Sequence, residues 1–412
     1  MRKKQRFAIA LALVLLGCAL IGGYSAWSIG LNLVQAAGPP GSPLVRFVIQ
    51  NGETTAQIGD ELAARQIITN ALTFRLWARY KGLDHQLQAG AYQVSASMTV
   101  PEIVNLFLTS SPIERWVTVI DGERIWQIAN HFAAETSLQN FKSADFVQIA
   151  KTGTYTDAKG QSVALASEYW FLKHGQQAGT APTFALEGYL FPNTYLIPQD
   201  ATAADVIHIL LNTFGEQLCP GPGSQPDAYL NNEQQCEAHA AQDPTTQKSL
   251  FDLLKSHYSD ADGASMADKL FHALTLASII EREARTHADR QGIASVYYNR
   301  YLVSKGELTH VDAGVDHLQA DPTLQYALGT PTQPWPQLTQ GGSTYQLGVY
   351  DTYQNAGLPP GPICSPGADA LTQAINPEKT TYLYFIAGKD GQTHYASNYA
   401  QQQQNIAKYG IG

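Results

Sequence analysis

Hydrophobic and polar positions fall into three successive patterns along this chain. The first is an apolar run from about Phe7 to Ile29, preceded by Arg2, Lys3, Lys4 and Arg6, with no further charge until Arg46. About 23 residues of helix span roughly 34 Å, enough for a ~30 Å hydrocarbon core. Residues 7–29 therefore predict a single transmembrane helix, with residues 1–6 as a basic cytoplasmic tail. A cleaved signal peptide would be shorter and end in small residues. Here the apolar stretch continues through Tyr24, Trp27 and Leu31 to Leu33. Leu15-Leu16-Gly17-Cys18 resembles a lipidation box, but the run passes well beyond Cys18. Residues 30–44, rich in Pro and Gly, predict a stiff linker.

The second pattern alternates strand and helix. Val45–Ile49 reads as a strand, Asn51-Gly52 as a turn, and Ile58, Leu62, Ala63 and Ile67 as one helical face behind the N-cap Thr54. Seventy residues later Ile120-Asp121-Gly122-Glu123, Gln127-Ile128 and Ala133-Ala134 echo Gln50-Asn51-Gly52-Glu53, Gln57-Ile58 and Ala63-Ala64. The unit thus recurs. Between the copies, 72–80 predicts a helix, 89–94 a strand and 101–108 a short helix behind Thr99. The third pattern is a long helical segment from about Ala267 to Ile280 and beyond. A closing hairpin follows, Thr381–Ile386 and Thr393–Tyr395 around Asp390-Gly391. The fold class is α+β: an N-terminal membrane helix, small α+β modules and a larger α+β domain.

Composition changes this picture little, but charge narrows it. The chain is 44% hydrophobic and 15% charged, ample for a packed core. Its formal charge is −9; removing the +4 of the basic tail leaves −9 − 4 = −13 for the rest. That balance argues against nucleic acid as a partner. Cys219, Cys236 and Cys364 show no metal-ligand spacing. The first two flank a polar stretch, 216–248, which reads as an inserted loop, and they predict a disulfide across it in an oxidising compartment. No phosphate loop, nucleophile elbow or zinc-protease motif occurs, so neither a cofactor nor a metal is expected.

Candidate chemistry centres on the long helix. On a helical wheel Leu270, Leu274, Ala277, Ser278, Ala284, Arg285 and Ala288 fall within about 60° of Glu281. A carboxyl on that small, apolar face would be desolvated and its pKa raised, as a general acid requires. The competing reading is an ordinary i,i+4 ion pair with Arg285. Periodicity does not separate the two. Glu283 points about 160° away, near Ile279 and Leu276. Asp321-Pro322 reads as a helix start with Asp321 as N-cap, and Gln319 could face a cleft. Tyr350–Tyr353 and Gly357–Ile363 form a proline-stiffened aromatic loop, and Leu186–Tyr195 is similarly aromatic with one acid. His394 is the histidine of most interest.

In their order, Glu187–Pro192, Leu274–Glu283, Leu318–Thr323, Gly357–Ile363 and Tyr382–Phe385 resemble the YceG-like endolytic murein transglycosylases over nearly the whole chain. That resemblance implies several things. Residues 45–110 would be a LysM-like glycan-binding module, 111–412 the catalytic domain, and 115–150 a second LysM-like unit within it. The catalytic acid would be Glu281, the first Glu of its motif. Substrate-binding positions would be Glu187, Tyr189, Ser278, Asn299, Gln319, Asp321, Thr323, Tyr350, Tyr353, Leu358, Pro359 and Pro360. The substrate would be nascent peptidoglycan glycan, cut outside a membrane that holds the N-terminal helix, with peptidoglycan synthases of elongation or division among the expected partners. Such an enzyme needs one carboxyl: it protonates the bridging oxygen, then takes the muramyl C6 hydroxyl proton as a 1,6-anhydro end closes. A water-using hydrolase would need a second carboxylate, Glu187 or Asp321. A wall-binding scaffold would need none. The chain departs from the family pattern in the long link Lys305–His317, in the Cys219–Cys236 insertion and in Gln402-Gln403-Gln404-Asn405 near its end.

Overall fold

The computed structural model describes residues 35–410 apart from residues 51, 84–87, 110–112, 175–182, 221–229, 242–248, 258–264 and 340. The expected span at 7–29, Cys18 and the turn residue Asn51 lie outside the described residues. Among those described, no helix is long and apolar enough to cross a membrane. The chain divides into two compact units: residues 1–116 with 195–199, and residues 117–194 with 200–412.

The first unit is built on strands β1 (Leu44–Ile49) and β2 (Gly90–Ser95), antiparallel with Phe47 opposite Tyr92. β3 (Glu114–Val119) and β6 (Asn193–Pro198) complete the sheet in the order β1-β2-β3-β6. Helices α1 (Thr55–Ala64), α2 (Ala71–Lys81) and α3 (Val100–Thr109) follow the predicted segments. Their apolar faces meet the sheet: Phe47, Ile58, Leu62, Phe74, Tyr92, Val94, Ile103 and Phe107 form one buried cluster. Phe107 sits at its centre, edge-on to Tyr92 at 4.9 Å and stacked with Phe47 at 6.1 Å.

The sequence repeat is a repeat of local geometry. Gly52 and Gly122 both hold φ at +80°, a conformation glycine adopts without strain. The carboxylate that follows each accepts the N–H three residues back, Gln50 to Glu53 at 2.8 Å and Ile120 to Glu123 at 3.1 Å. A glutamine side chain then accepts the N-cap N–H, Thr54 to Gln57 at 2.9 Å and Arg124 to Gln127 at 3.3 Å. The helices that start there are α1 and α4 (Ile125–Ala134).

The second unit is mainly helical. After α4 come α5 (Ser143–Thr152), a two-stranded ribbon of β4 (Thr154–Thr156) with β5 (Ser162–Ala164), and α6 (Ala203–Leu218). α7 (Glu233–Ala240) and α8 (Leu250–His257) follow. The stretch read as an inserted loop at 216–248 is therefore helical in part. A disulfide joins Cys219 and Cys236 across it, with Cα atoms 5.4 Å apart, as predicted; Cys364 is free and buried. The remaining helices are α9 (Met266–Glu283), α10 (His287–Ser304), α11 (Asp321–Leu328), α12 (Ala368–Ile375) and α13 (Tyr399–Tyr409). The predicted closing hairpin is β7 (Tyr384–Ala387) with β8 (Thr393–Ala396), turning at Gly391 with φ +77°.

Two expectations for α9 need correction. It is not a helix with one apolar face, because every residue from Ala273 to Ile280 is buried, making it the core rod of this unit. Nor does it continue to Ala288. It ends at Glu283, Ala284 is extended, and a new helix begins behind Thr286, whose hydroxyl caps the Asp289 N–H. The wheel that grouped Arg285 with Glu281 therefore spans a break. At its C-terminal end α9 leaves the core, and both glutamates lie on that last turn.

Candidate active site

Glu281 and Glu283 sit two residues apart at the C-terminal end of a buried helix, where the helix dipole disfavours negative charge. Their surroundings differ. Because α10 folds back beside α9, Arg290 in its first turns reaches Glu281, and Tyr297 two turns further reaches Glu283. Glu281 Oε1 accepts from Arg290 Nη2 at 2.8 Å, and Oε2 accepts the Gly367 N–H at 3.1 Å. The Glu281 side chain is only 6% exposed. The bare apolar pocket expected for it is thus filled by two donors, one a full positive charge. Arg285 is not its partner. Arg290 also reaches Asp369 at 3.2 Å, and Asp369 in turn meets His287 at 2.8 Å.

A third carboxyl joins this side. A Cβ at Gly367 would lie 2.7 Å from the Asp121 carboxyl, so glycine alone lets the second repeat's turn close onto the loop before α12. Desolvation and the charge of Glu281 raise the Asp121 pKa, Arg290 opposes this, and Asp369 adds to it.

Glu283 lies in a different setting. Half-buried, it accepts one hydrogen bond, from the Tyr297 hydroxyl at 2.9 Å. Desolvation pushes its carboxyl up to about 7; the Tyr297 bond opposes this and the charge of Asp321 adds to it. Asp321 is exposed and accepts the Tyr353 hydroxyl at 2.9 Å. It is the first residue of α11 rather than its cap, which is Ala320. Gln319, exposed, holds φ at +55°, a strained value for a residue with a side chain. Its amide oxygen accepts from buried Arg300 at 3.3 Å, and Arg300 also binds the carbonyls of His317, Leu318 and Leu383. One buried guanidinium thus holds the end of the long Lys305–His317 link against the closing hairpin. A carboxyl raised toward neutrality by burial, with no cation bonded to it, can both give and take a proton.

The other expected positions serve the interior. Glu187 is fully buried, and desolvation pushes its carboxyl up to about 8 against the opposing charge of Arg124. It accepts the Ile125 N–H at 3.1 Å and the Tyr326 hydroxyl at 3.3 Å, anchoring the start of α4. Tyr189 is buried among Phe171, Phe214 and His174. The Ser278 hydroxyl donates to Thr275 O and accepts the Ile363 N–H at 3.0 Å, tying the proline-rich loop to α9. Asn299 donates to the carbonyls of Thr380 and Tyr382. Thr323 is buried against Thr352, and Tyr350 is buried beside Tyr326. Pro359 is buried, with Leu358 and Pro360 half-buried. His394 binds Asp390 at 3.0 Å and stacks on Tyr409, and Gln402 and Asn405 pin α13 to the hairpin backbone. No group of three metal-ligating side chains occurs among the described residues.

The residues that sequence reasoning missed are Asp121, Arg282, Arg290, Tyr297, Arg300 and Trp335. Only Arg290 had a signal, the Thr286-x-x-Asp289 capping pattern that ends one helix and starts another.

Comparison with known proteins follows the same residues. The YceG-like family pattern matches residues 47–408. The endolytic murein transglycosylase of Bacillus subtilis strain 168 is 27% identical over 394 residues, covering 95% of this chain and 91% of its own length. That of Streptococcus pneumoniae strain D39 is 25% identical over 405 residues, covering 96% of this chain but only 64% of its own. A solved structure of a yceG-like protein from Listeria monocytogenes aligns with 88% of this chain and 98% of its own, at 25% identity and a TM-score of 0.47.

Proposed function

The chain belongs to the YceG-like family, and from that premise we propose that it cleaves murein glycan as a lytic transglycosylase, with Glu283 as its acid–base. The observation that carries this reading is the Glu283 carboxyl, raised to about 7 and bonded to a single hydroxyl. Glu281, which the family resemblance suggested, has both oxygens taken by Arg290 and Gly367. Its part in this reading is to hold α10 and the loop before α12 in place.

The steps follow from that geometry. Tyr297 fixes one oxygen of Glu283 and leaves the other for substrate. Protonated Glu283 donates to the oxygen bridging N-acetylmuramic acid and N-acetylglucosamine as the bond to C1 breaks. The resulting carboxylate takes the proton of the muramyl C6 hydroxyl, which closes on C1 to give a 1,6-anhydro end. The proton count balances and no water is consumed. Asp321 and Tyr353 lie close enough to Glu283 to couple with it electrostatically, and with exposed Gln319 they would offer polar contacts to hydroxyl and acetamido groups. A hydrolase would need a second carboxylate on water; Glu187 is fully buried, which leaves Asp321 for that role. Residues 7–29 as a membrane anchor, and residues 45–110 as a LysM-like glycan-binding module, complete the reading: an anchored enzyme cutting new strands outside the membrane, beside the synthases that make them.

Mass spectrometry of fragments released from purified glycan strands tests the reaction class. Anhydro-muramyl ends are expected; reducing ends only would replace the reading with hydrolysis.

A further inference from the structure

Between the two glutamates lies Arg282, whose surroundings the cleavage chemistry does not explain. It is exposed, yet it is not loose. Its guanidinium lies 4.1 Å over the Trp335 ring, and its Nη1 would be 3.3 Å from a Cβ at Gly122, so the glycine of the second repeat's turn makes room for it. Trp335 is itself fixed, its indole N–H donating to Gln127 at 3.1 Å. A second guanidinium, Arg124, approaches the same indole at 5.5 Å while lying over Tyr326 and Trp126 at 4.0 and 4.5 Å. Two like charges thus share one aromatic stack. Arg124 is buried, with its Nη1 donating to the Pro334 carbonyl at 2.8 Å. Arg282 has no acidic oxygen within ion-pair distance among the described residues; its neighbour Glu281 is committed to Arg290. A stacked guanidinium keeps its in-plane N–H fork free, and that fork fits a carboxylate in bidentate fashion.

We propose that Arg282, held on Trp335, receives a carboxylate of the peptide stems that murein strands carry. This rests on reading the chain as a murein-cleaving enzyme. The contact makes the enzyme prefer strands that bear stems over stripped strands, and it sets the strand's register one residue from the acid.

The test measures the affinity of the full-length chain for two probes: uncross-linked glycan strands bearing stem peptides, and the same strands stripped by an amidase. The background carries both Glu281→Gln and Glu283→Gln, so that strands stay intact whichever glutamate moves the proton. Adding Arg282→Gln is expected to weaken binding of stem-bearing strands about tenfold, the ordinary worth of one charge-assisted contact, and to leave stripped strands within about twofold. Arg282→Lys, which keeps charge but not the planar fork, is expected to fall between. An equal loss on both probes would overturn the proposal and make Arg282 a sugar-binding or structural residue, and so would no loss on either. If the wild-type chain releases no anhydro ends, the reading of its reaction fails, while the affinity ratio still decides the role of Arg282.

Discussion

The two sides of the last turn of α9 carry the same side chain in opposite conditions. On one side Glu281 is closed in by Arg290 and a backbone N–H, with Asp121 and Asp369 crowding the same cation. On the other, Glu283 meets one hydroxyl and a neighbouring carboxylate and is pushed up to about 7. Both share the helix end and the same rod of buried residues. What separates them is what α10 brings back, an arginine to the first and a tyrosine to the second. A carboxyl with a cation on it is an anchor; a carboxyl without one is able to exchange a proton near neutral pH.

Removing the cation should break this contrast most strongly. Arg290→Met leaves Glu281 nearly buried with no countercharge, and unpairing a buried ion costs several kcal/mol. Arg290 is partly exposed, so a loss of about 2–3 kcal/mol is expected, read as a lower midpoint in denaturant unfolding.

The pH dependence of stability separates the sides next. The Glu283 pKa is raised from 4.5 to about 7 in the fold, so its contribution is complete below about 4.5 and is lost as pH rises through about 7. Glu187, raised to about 8, extends the same decline. Calorimetry across this range should show melting temperature falling with rising pH. Glu283→Gln should remove the part up to about 7, and Glu187→Gln the part reaching about 8. A flat profile in the parent protein would contradict both assignments.

A smaller effect sharpens the Glu283 side alone. The Tyr297 bond opposes the upward shift, so Tyr297→Phe should raise the Glu283 pKa further. The alkaline limb of the pH–rate profile should move up accordingly while turnover falls a few-fold through lost orientation. A limb that stays in place would detach Tyr297 from the reacting group.

Much of this frame was legible in the chain. The turn repeat could be read because its Gly, Glu and Gln act locally, within seven residues of one another. The disulfide was legible from two cysteines flanking a polar stretch, and the hairpin from Asp390-Gly391. The surroundings of the two glutamates were not. The apolar period of 270–288 runs on through Ala284 and Ala288, so it predicts a continuing helix with Arg285 facing Glu281. The Thr286-x-x-Asp289 box marks the break, but no local pattern says that the arginine of the next helix returns to Glu281 or that Asp121, 160 residues earlier, packs beside it. Glu187, Tyr189 and Ser278 lie in the stretches that carry the family resemblance, and their burial, which depends on distant elements packing over them, is not marked by any local pattern.

One glutamate of the pair moves the proton, and substitution tells which. Glu283→Gln and Glu281→Gln are compared for release of anhydro-ended fragments from purified strands, each after its folding is verified by calorimetry. Loss of general acid–base help predicts a fall of roughly 10²–10⁴-fold for Glu283→Gln with little change in stability. Glu281→Gln should retain measurable turnover and lose stability instead. A folded Glu283→Gln protein cutting at near the parent rate, with Glu281→Gln folded and inactive, would contradict the account and move the acid to the other side of the helix.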